Sequence, residues 1–169
     1  MHDPARSQVR VRRIAGAALI AGFAIAGCAA DTGTPADTGA PSRGGGGDPT
    51  AVDVTLQEWA IVPSTASAPA GDLTFAVSNE GPNDIHEFVV LKTDLDPGDL
   101  PTDEAGAVTE DGEGIEVIDE IEDIPVGESQ DLSVTLEAGS YVLLCNIYDE
   151  DENEAHYAMG MRAAFEVTE

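Results

Sequence analysis

The segment from residue 51 to residue 169 alternates short apolar stretches with turn-forming residues, a pattern typical of β-strands. Residues 52–57 and 73–77 place apolar side chains at every second position, and residues 85–92 form an almost continuous apolar run. Pro, Gly, Asn and Asp separate these stretches, as expected at turns. The pattern predicts strands at residues 52–57, 73–77, 85–92, 115–121, 132–136, 141–145 and 162–167.

The number and spacing of these strands indicate the class of fold. Short strands joined by turns are typical of a β-sandwich, so we predict an all-β domain of about seven to eight strands. Residues 93–114 are acidic, contain Pro and Gly, and are predicted to leave the sheets as a long excursion. No segment has the apolar periodicity of a long amphipathic helix.

The amino terminus has the features of an export signal. Four arginines precede an apolar run at residues 14–26, which is shorter than the roughly 20 residues that a membrane-spanning helix needs. The run ends in Ile25-Ala26-Gly27-Cys28, which resembles the lipobox of bacterial lipoproteins, where the chain is cut before a cysteine that receives a lipid. The alternative is an ordinary signal peptide, cut at Ala29-Ala30. Either the general or the twin-arginine export route is compatible with this sequence.

These observations divide the chain into three parts. Residues 1–27 are predicted to be a lipoprotein signal peptide, and residues 28–50 a lipidated Cys28 followed by a flexible tether rich in Gly and Pro. Residues 51–169 have the length of one folded domain. We therefore expect an exported protein that is anchored by lipid to the outer face of the cell membrane.

The chain is strongly acidic, with 7 basic and 33 acidic residues. Removal of residues 1–27 takes away four Arg and one Asp, which leaves 3 basic and 32 acidic residues and a net charge of about −29. This charge argues against nucleic acid and anionic membrane surfaces as partners. Two explanations remain open: attraction of a basic protein partner, or adaptation to a saline habitat.

The processed chain holds few side chains that bind soft metals. Once Cys28 carries a lipid, Cys145 has no disulfide partner. The imidazoles that remain belong to His86 and His156, and the thioethers belong to Met159 and Met161. One thiolate, two imidazoles and one thioether are the ligand set of a blue-copper site. Each residue alone could instead fill the core of a β-domain, so the prediction depends on the set.

The motifs around these residues resemble one family. His156-Tyr157-Ala158-Met159-Gly160-Met161 is similar to the copper loop of pseudoazurins and plastocyanins, and the segments at residues 139–145 and 83–90 resemble the family's other ligand-bearing strands. The domain therefore resembles the cupredoxins, which have a Greek-key β-sandwich and bind one type 1 copper ion. The resemblance implies that His86, Cys145 and His156 are the equatorial ligands, and that Met161 is the axial one.

Two features depart from the family pattern. Ten residues separate Cys145 from His156, where short-loop members have two to four. Glu87 follows the first histidine, where many members have an Asn that helps to hold the sulfur. A charged Glu87 that points at the site would lower the reduction potential, and one that faces solvent would do little. Glu87 and Asn146 are thus candidates for contacts that support the ligands.

The resemblance also implies a function. A cupredoxin carries one electron at a time between redox proteins and has no small-molecule substrate, so we do not expect an enzyme. Electrons would pass through the edge of His156, which is the usual exposed ligand in the family. Residues beside it would contact a basic redox partner. The candidates for this docking surface are Tyr157, Asp149, Glu150, Asp151 and Glu152.

Two other functions remain open at this stage. An extracytoplasmic protein that stores or delivers copper would use a similar ligand set. In a metal-free structural lipoprotein, these side chains would bind no metal. The acidic loops do not follow the twelve-residue pattern of calcium sites, and we interpret them as solvated charge.

Overall fold

The computed structural model describes residues 48–169. The signal peptide, the lipidation of Cys28 and nearly all of the tether were predicted for residues outside this range, so these stay predictions. None of the helices in the described part of the chain has the length and apolar character needed to cross a membrane.

Two β-sheets and one short helix make up the described domain. One sheet has four strands in the order β2-β1-β4-β7, and the other has five in the order β3-β11-β8-β5-β6. A small hairpin, β9-β10, lies outside both. The elements are β1 (Thr50–Gln57), β2 (Ala60–Pro63), β3 (Ser67–Pro69), β4 (Gly71–Asn79), β5 (His86–Lys92), β6 (Glu116–Ile124), β7 (Ser129–Leu136), β8 (Gly139–Leu144), β9 (Tyr148–Asp149), β10 (Glu154–Ala155), α1 (His156–Met159) and β11 (Arg162–Thr168).

The alternating pattern of β1 and β4 produces the core between the sheets. Every second side chain of these strands is buried, including Val52, Leu56 and Phe75, while Asp53 remains exposed. Phe75 packs against Phe88 of the opposite sheet, with ring centroids 5.4 Å apart. The prediction of an all-β sandwich is therefore confirmed.

The continuous apolar run in β5 has a different cause, because this strand is covered on both faces. Phe88 and Val90 belong to the main core between the sheets. Val89 and Leu91 belong to a second cluster on the outer face, which includes Leu100 and Val108 from the excursion and Tyr157 from α1. The excursion at residues 93–114 thus buries the outer face of the five-stranded sheet.

The sheets contain nine strands, slightly more than the predicted seven to eight. The two additional strands, β2 and β3, are short edge strands of four and three residues that contain Pro63 and Pro69. Their sequences are too short to show an alternation, and proline is normally a signal against a strand. The rest of the core follows the predicted strands closely.

Candidate metal centre

Cys145 lies immediately after the central strand β8. Its main-chain N–H donates a hydrogen bond to the carbonyl of Met161, N···O 3.1 Å, which continues the pairing between β8 and β11. Alternate residues of β8 face opposite sides, so Cys145 points into the main core with Tyr141 and Leu143. Its side chain is fully buried and forms no disulfide.

His86 begins the neighbouring strand β5 and is also fully buried. The ladder between β5 and β8 reaches only to the pair Val89 and Leu144. Beyond that pair, the main-chain N–H of Glu87 donates to Sγ of Cys145, with N···S 3.3 Å. Two adjacent strands therefore deliver an imidazole and a thiol to the same end of one sheet.

The ten residues between Cys145 and His156 fold back on themselves. β9 and β10 pair through Asp149 with Glu154 and through Tyr148 with Ala155. The N–H of His156 then donates to the carbonyl of Ile147, N···O 2.9 Å, which closes the base of the hairpin. The insertion therefore returns the chain to the cysteine before His156 begins, and its length does not separate the two side chains.

The three side chains converge in a small buried volume. One potential ligand atom from each of His86, Cys145 and His156 lies within 4.8 Å of the other two. Nδ1 of His156 is 3.3 Å from Sγ of Cys145 and 3.2 Å from Nδ1 of His86. A metal ion placed among these three side chains would have one donor atom available from each of them.

Burial controls the protonation of these groups. Desolvation lowers the pKa of His86, assisted by repulsion from His156, and desolvation also lowers the pKa of His156. Both rings thus favour the neutral form, which has a lone pair for a metal. Burial raises the pKa of the Cys145 thiol to about 12, against the opposing effect of the Glu87 and Ile147 amides. A cation that binds this sulfur must therefore displace its proton.

The two methionines occupy different environments. Met161 is fully buried in the same core cluster as Cys145, and its N–H donates to the carbonyl of His156, N···O 3.0 Å. Met159 is 43% exposed at the end of α1. Met161 is thus the buried one of these two thioethers, and its role as axial ligand, which the family resemblance implies, stays a prediction.

Glu87 and Asn146 form a bridge between the ligand-bearing segments. The Glu87 carboxylate accepts a hydrogen bond from the main-chain N–H of Asn146, with Oε1···N 2.9 Å. The Asn146 side chain is directed towards the excursion, where its amide exchanges hydrogen bonds with the main chain of Val108. Partial burial raises the pKa of Glu87 to about 7. Glu87 therefore neither points its charge at the sulfur nor faces solvent freely, which are the two arrangements considered from sequence.

The edge of His156 does not reach the surface, contrary to the expectation from the resemblance. Its side chain is 2% exposed, because the indole of Trp59 packs against it with ring centroids 5.0 Å apart. Trp59 also contacts His86 at 6.4 Å between centroids. Trp59 was not among the site residues predicted from the sequence, although it is the only tryptophan in the chain.

Tyr157 is likewise buried, at 4% exposure, so its ring cannot form part of a docking surface. Its hydroxyl donates to the carbonyl of Pro97 and accepts from the N–H of Leu100, which ties α1 to the excursion. The tyrosine contributes to the outer hydrophobic cluster instead of to a contact with a partner. The acidic residues proposed for docking lie on the β9-β10 hairpin, where Asp149 is half-buried and Glu150, Asp151 and Glu152 are exposed.

Comparison with solved structures assigns the fold. Auracyanin from the photosynthetic bacterium Roseiflexus castenholzii, reduced with sodium dithionite, superposes with a TM-score of 0.51 and 22% identity over 73% of this chain and all of that one. The described domain has the cupredoxin fold. Two further auracyanins superpose on this cupredoxin domain less well. Auracyanin B has a TM-score of 0.48, 19% identity and coverage of 71% of this chain and 89% of that one. Auracyanin A, a "blue" copper protein from Chloroflexus aurantiacus, has a TM-score of 0.47, 18% identity and coverage of 71% and 99%.

Comparisons based on sequence gave no match, either to a family model or to a curated protein. The cupredoxin assignment therefore depends on the arrangement of the sheets. The donor set agrees with it independently, because two imidazoles and one thiolate are the strong ligands of a type 1 copper centre.

Proposed function

We propose that this domain transfers single electrons at a type 1 copper centre bound by His86, Cys145 and His156, with Met161 as the weak axial ligand. The observation that carries the proposal is the convergence of three buried donor atoms within 4.8 Å. Bound copper would supply a reversible Cu(II)/Cu(I) couple, and this donor set is the one that such centres use.

The surrounding residues suit a carrier that changes little when its charge changes. The N–H of Glu87 donates to the sulfur, and the main chain of Met161 is hydrogen-bonded to both Cys145 and His156. The three donors are 0–2% exposed, so water is largely excluded from them. A rigid and dry site keeps its geometry in both oxidation states, which lowers the reorganisation needed for each transfer.

The same burial favours electron transfer over storage or delivery of the ion. Delivery requires an acceptor protein to exchange ligands with the copper, and ligand exchange needs access to the ion. An electron can cross a layer of packed side chains without such access. The buried donors therefore support a carrier that keeps its copper.

We also propose that the domain works outside the cytoplasm, held to the membrane by a lipid on Cys28 and a tether that ends near residue 50. The sequence motif around Cys28 and the Gly- and Pro-rich composition of residues 28–50 support this placement. A lipid tether would restrict the carrier to redox partners at the same membrane surface.

Copper titration of the chain from residue 28, with Cys28→Ser so that Cys145 is the only thiol, tests the proposed centre. One equivalent of Cu(II) should produce an intense visible copper–thiolate band that disappears on reduction. Cys145→Ser should abolish the band, and the matched control Met159→Leu should keep it. Met161→Leu should keep an intense band but shift the reduction potential, because it removes only the axial ligand.

Two outcomes would contradict the proposal. The absence of an intense band at one equivalent would show that the three side chains do not form a copper–thiolate site. A band that is lost when a metal-free acceptor protein is added, without a reversible one-electron wave in voltammetry, would favour copper delivery.

A further inference from the structure

Trp59 lies between the candidate ligands and the surface of the domain. It follows β1 in the chain and is partly buried against the main core. Its indole meets both imidazoles in edge-on contacts, at 5.0 Å from His156 and 6.4 Å from His86 between centroids. The two imidazoles also contact each other, with ring centroids 5.1 Å apart.

The carbonyl oxygen of Trp59 also packs against the ligand loop. A Cβ placed on Gly160 would lie 3.1 Å from this oxygen, which is closer than an ordinary van der Waals contact. Gly160 directly precedes Met161 in the chain. The segment that carries the indole is therefore fitted closely to the segment that carries two of the candidate ligands.

Trp59 also lines a surface cleft of about 430 Å³. Its walls come from three separate segments: the β1-β2 turn, the loop before β5, and the β9-β10 hairpin. We call this the acidic cleft, because four of its six lining residues are carboxylates. The lining residues are Glu58, Trp59, Asn83, Asp84, Glu152 and Glu154.

We propose that Trp59 is the contact through which electrons cross between the metal centre and a positively charged redox protein docked at the acidic cleft. The inference rests on the proposed copper function. Each transfer would pass one electron from bound Cu(I) to an oxidised partner, which would leave Cu(II) and a partner reduced by one electron. No bond is broken and no proton moves. The indole serves as packed medium along the route and is itself neither oxidised nor reduced.

The charge of the cleft determines the kind of partner. The two basic residues within the described range are occupied elsewhere: Arg162 donates to the carbonyl of Tyr157, and Lys92 pairs with Glu137. Among residues 48–169, no Lys or Arg side chain forms an ion pair with a carboxylate of the cleft. The charges of Glu154, Asp149 and Asp84 raise the pKa of Glu152, in keeping with their closeness across the cleft. A basic surface on the partner would relieve this repulsion.

The first test uses fluorescence of the metal-free protein, in which Trp59 is the only tryptophan. Caesium and iodide quench an accessible indole, and their opposite charges report the local potential. At matched low ionic strength we expect caesium to be the better quencher. Glu152→Gln with Glu154→Gln should reduce this preference. The control variant, Glu166→Gln with Glu169→Gln, removes the same number of charges near the carboxyl end of β11, whereas Met161 and the ligand loop lie at its amino end. This control should leave the preference for caesium unchanged.

The second test measures, by stopped flow, the rate of electron transfer between the copper-loaded protein and cytochrome c, a basic haem protein. Cytochrome c is too large to enter the space that Trp59→Leu would open, so it cannot reach the copper by that route. Trp59→Leu should lower this rate by about tenfold, which corresponds to about 1.4 kcal/mol in activation free energy. Trp59→Phe retains an aromatic ring, so its electron-transfer rate should fall less than that of Trp59→Leu. The Glu152/Glu154 double variant should be slowed at low salt and should approach the wild-type rate at high salt.

The visible copper–thiolate band, recorded on every variant, separates this proposal from the copper function itself. A missing band in the wild-type protein would defeat the copper function. A normal band combined with an unchanged rate in Trp59→Leu would overturn the role of Trp59 alone. Equal quenching by caesium and iodide would show that the indole does not lie in an acidic environment, and would overturn the cationic partner.

Discussion

Glu87 joins the two segments that hold the thiol and the first imidazole. Its N–H donates to Sγ of Cys145, and its carboxylate accepts from the N–H of Asn146. One residue thus fixes both the sulfur and the start of the ligand loop. Because this carboxyl is partly buried, its protonation affects the free energy of unfolding of the domain.

Glu87→Gln should change how the stability of the metal-free protein depends on pH. Burial raises the pKa of Glu87 from its ordinary value of 4.5 to about 7, so the native state binds a proton that the unfolded state releases. The stabilisation from the protonated carboxyl is complete below pH 4.5 and declines as the pH rises to about 7. Urea unfolding across this window should show that the free-energy difference between wild type and variant falls with pH and then becomes constant.

Glutamine keeps an oxygen that can accept from Asn146, so this variant isolates the titration from the hydrogen bond. Glu166→Gln removes a carboxylate from an exposed position in β11 and is the control for net charge. Parallel pH curves for wild type and Glu87→Gln would show that the Glu87 carboxyl does not take up a proton on folding.

At the residue scale, the candidate metal ligands were easier to predict from the sequence than the residues that contact them. Cys145, His86 and His156 belong to types so scarce in the processed chain that counting alone singles them out. Trp59 and the role of Glu87 could not be predicted in this way. Their contacts depend on where β1 and β5 place their ends in space, and no local pattern in the sequence encodes that position.

The ligand loop shows how an element can be long and still hold its ends together. The β9-β10 hairpin closes at Ile147 and His156, and α1 follows at once with Gly160 at its carboxyl end. Gly160 has φ 125°, a conformation that residues with a Cβ rarely adopt. The glycine therefore sets the direction in which the chain enters β11.

Gly160→Ala should destabilise the metal-free protein by about 1–3 kcal/mol from backbone strain, with a further cost from the contact. The new Cβ would lie 3.1 Å from the main-chain oxygen of Trp59, which cannot move aside like a flexible side chain. Unfolding in urea provides the measurement, and the visible band of the copper-loaded form should also be altered because Met161 follows directly.

Gly71→Ala is the matched control for this prediction. Gly71 has a similar φ of 129°, but a Cβ there would have no heavy atom within 4 Å. It carries the conformational strain without the collision. If the two variants lose the same stability, the close packing of Trp59 against Gly160 is not an important restraint.

Most elements followed from the sequence, and the exceptions have physical reasons. Strands such as β4 and β8 are long enough for their alternation or apolar run to be recognised. The β9-β10 hairpin has only two residues in each strand and a polar composition, so its pairing depends on the closure of the loop. The excursion was located correctly, but its contact with the outer face of β5 is a long-range contact that no local pattern shows.

At the scale of the whole molecule, negative charge is the dominant surface property. A chain with a formal net charge of −26 repels itself when compact, and this repulsion favours the unfolded state. Within the described range, Lys92 and Glu137 form the one ion pair between side chains, at 3.3 Å, and it is exposed. Ion pairs at the surface contribute little to the free energy of unfolding.

The thermal midpoint of the metal-free protein should therefore rise with NaCl. Screening shortens from about 10 Å at 0.1 M to about 3 Å at 1 M, so repulsion between surface carboxylates weakens over this range. Each kcal/mol recovered should raise the midpoint by about 4 °C in a domain of this size. Scanning calorimetry over this salt range provides the measurement.

The Glu166→Gln and Glu169→Gln double variant, which carries two fewer charges, should show a smaller dependence on salt than the wild-type protein. A midpoint that is independent of salt would mean that the carboxylates are too far apart, or too well solvated, to oppose folding.

The hairpin of the ligand loop has a consequence for protein engineering. Because one hydrogen bond between His156 and Ile147 closes its base, residues at its exposed tip are not required to carry the chain from one ligand to the next. The tip is thus a position where a peptide tag or a surface-attachment sequence can be inserted while the donors keep their places. A domain attached to an electrode through this hairpin would present the face beside its metal centre to the conductor.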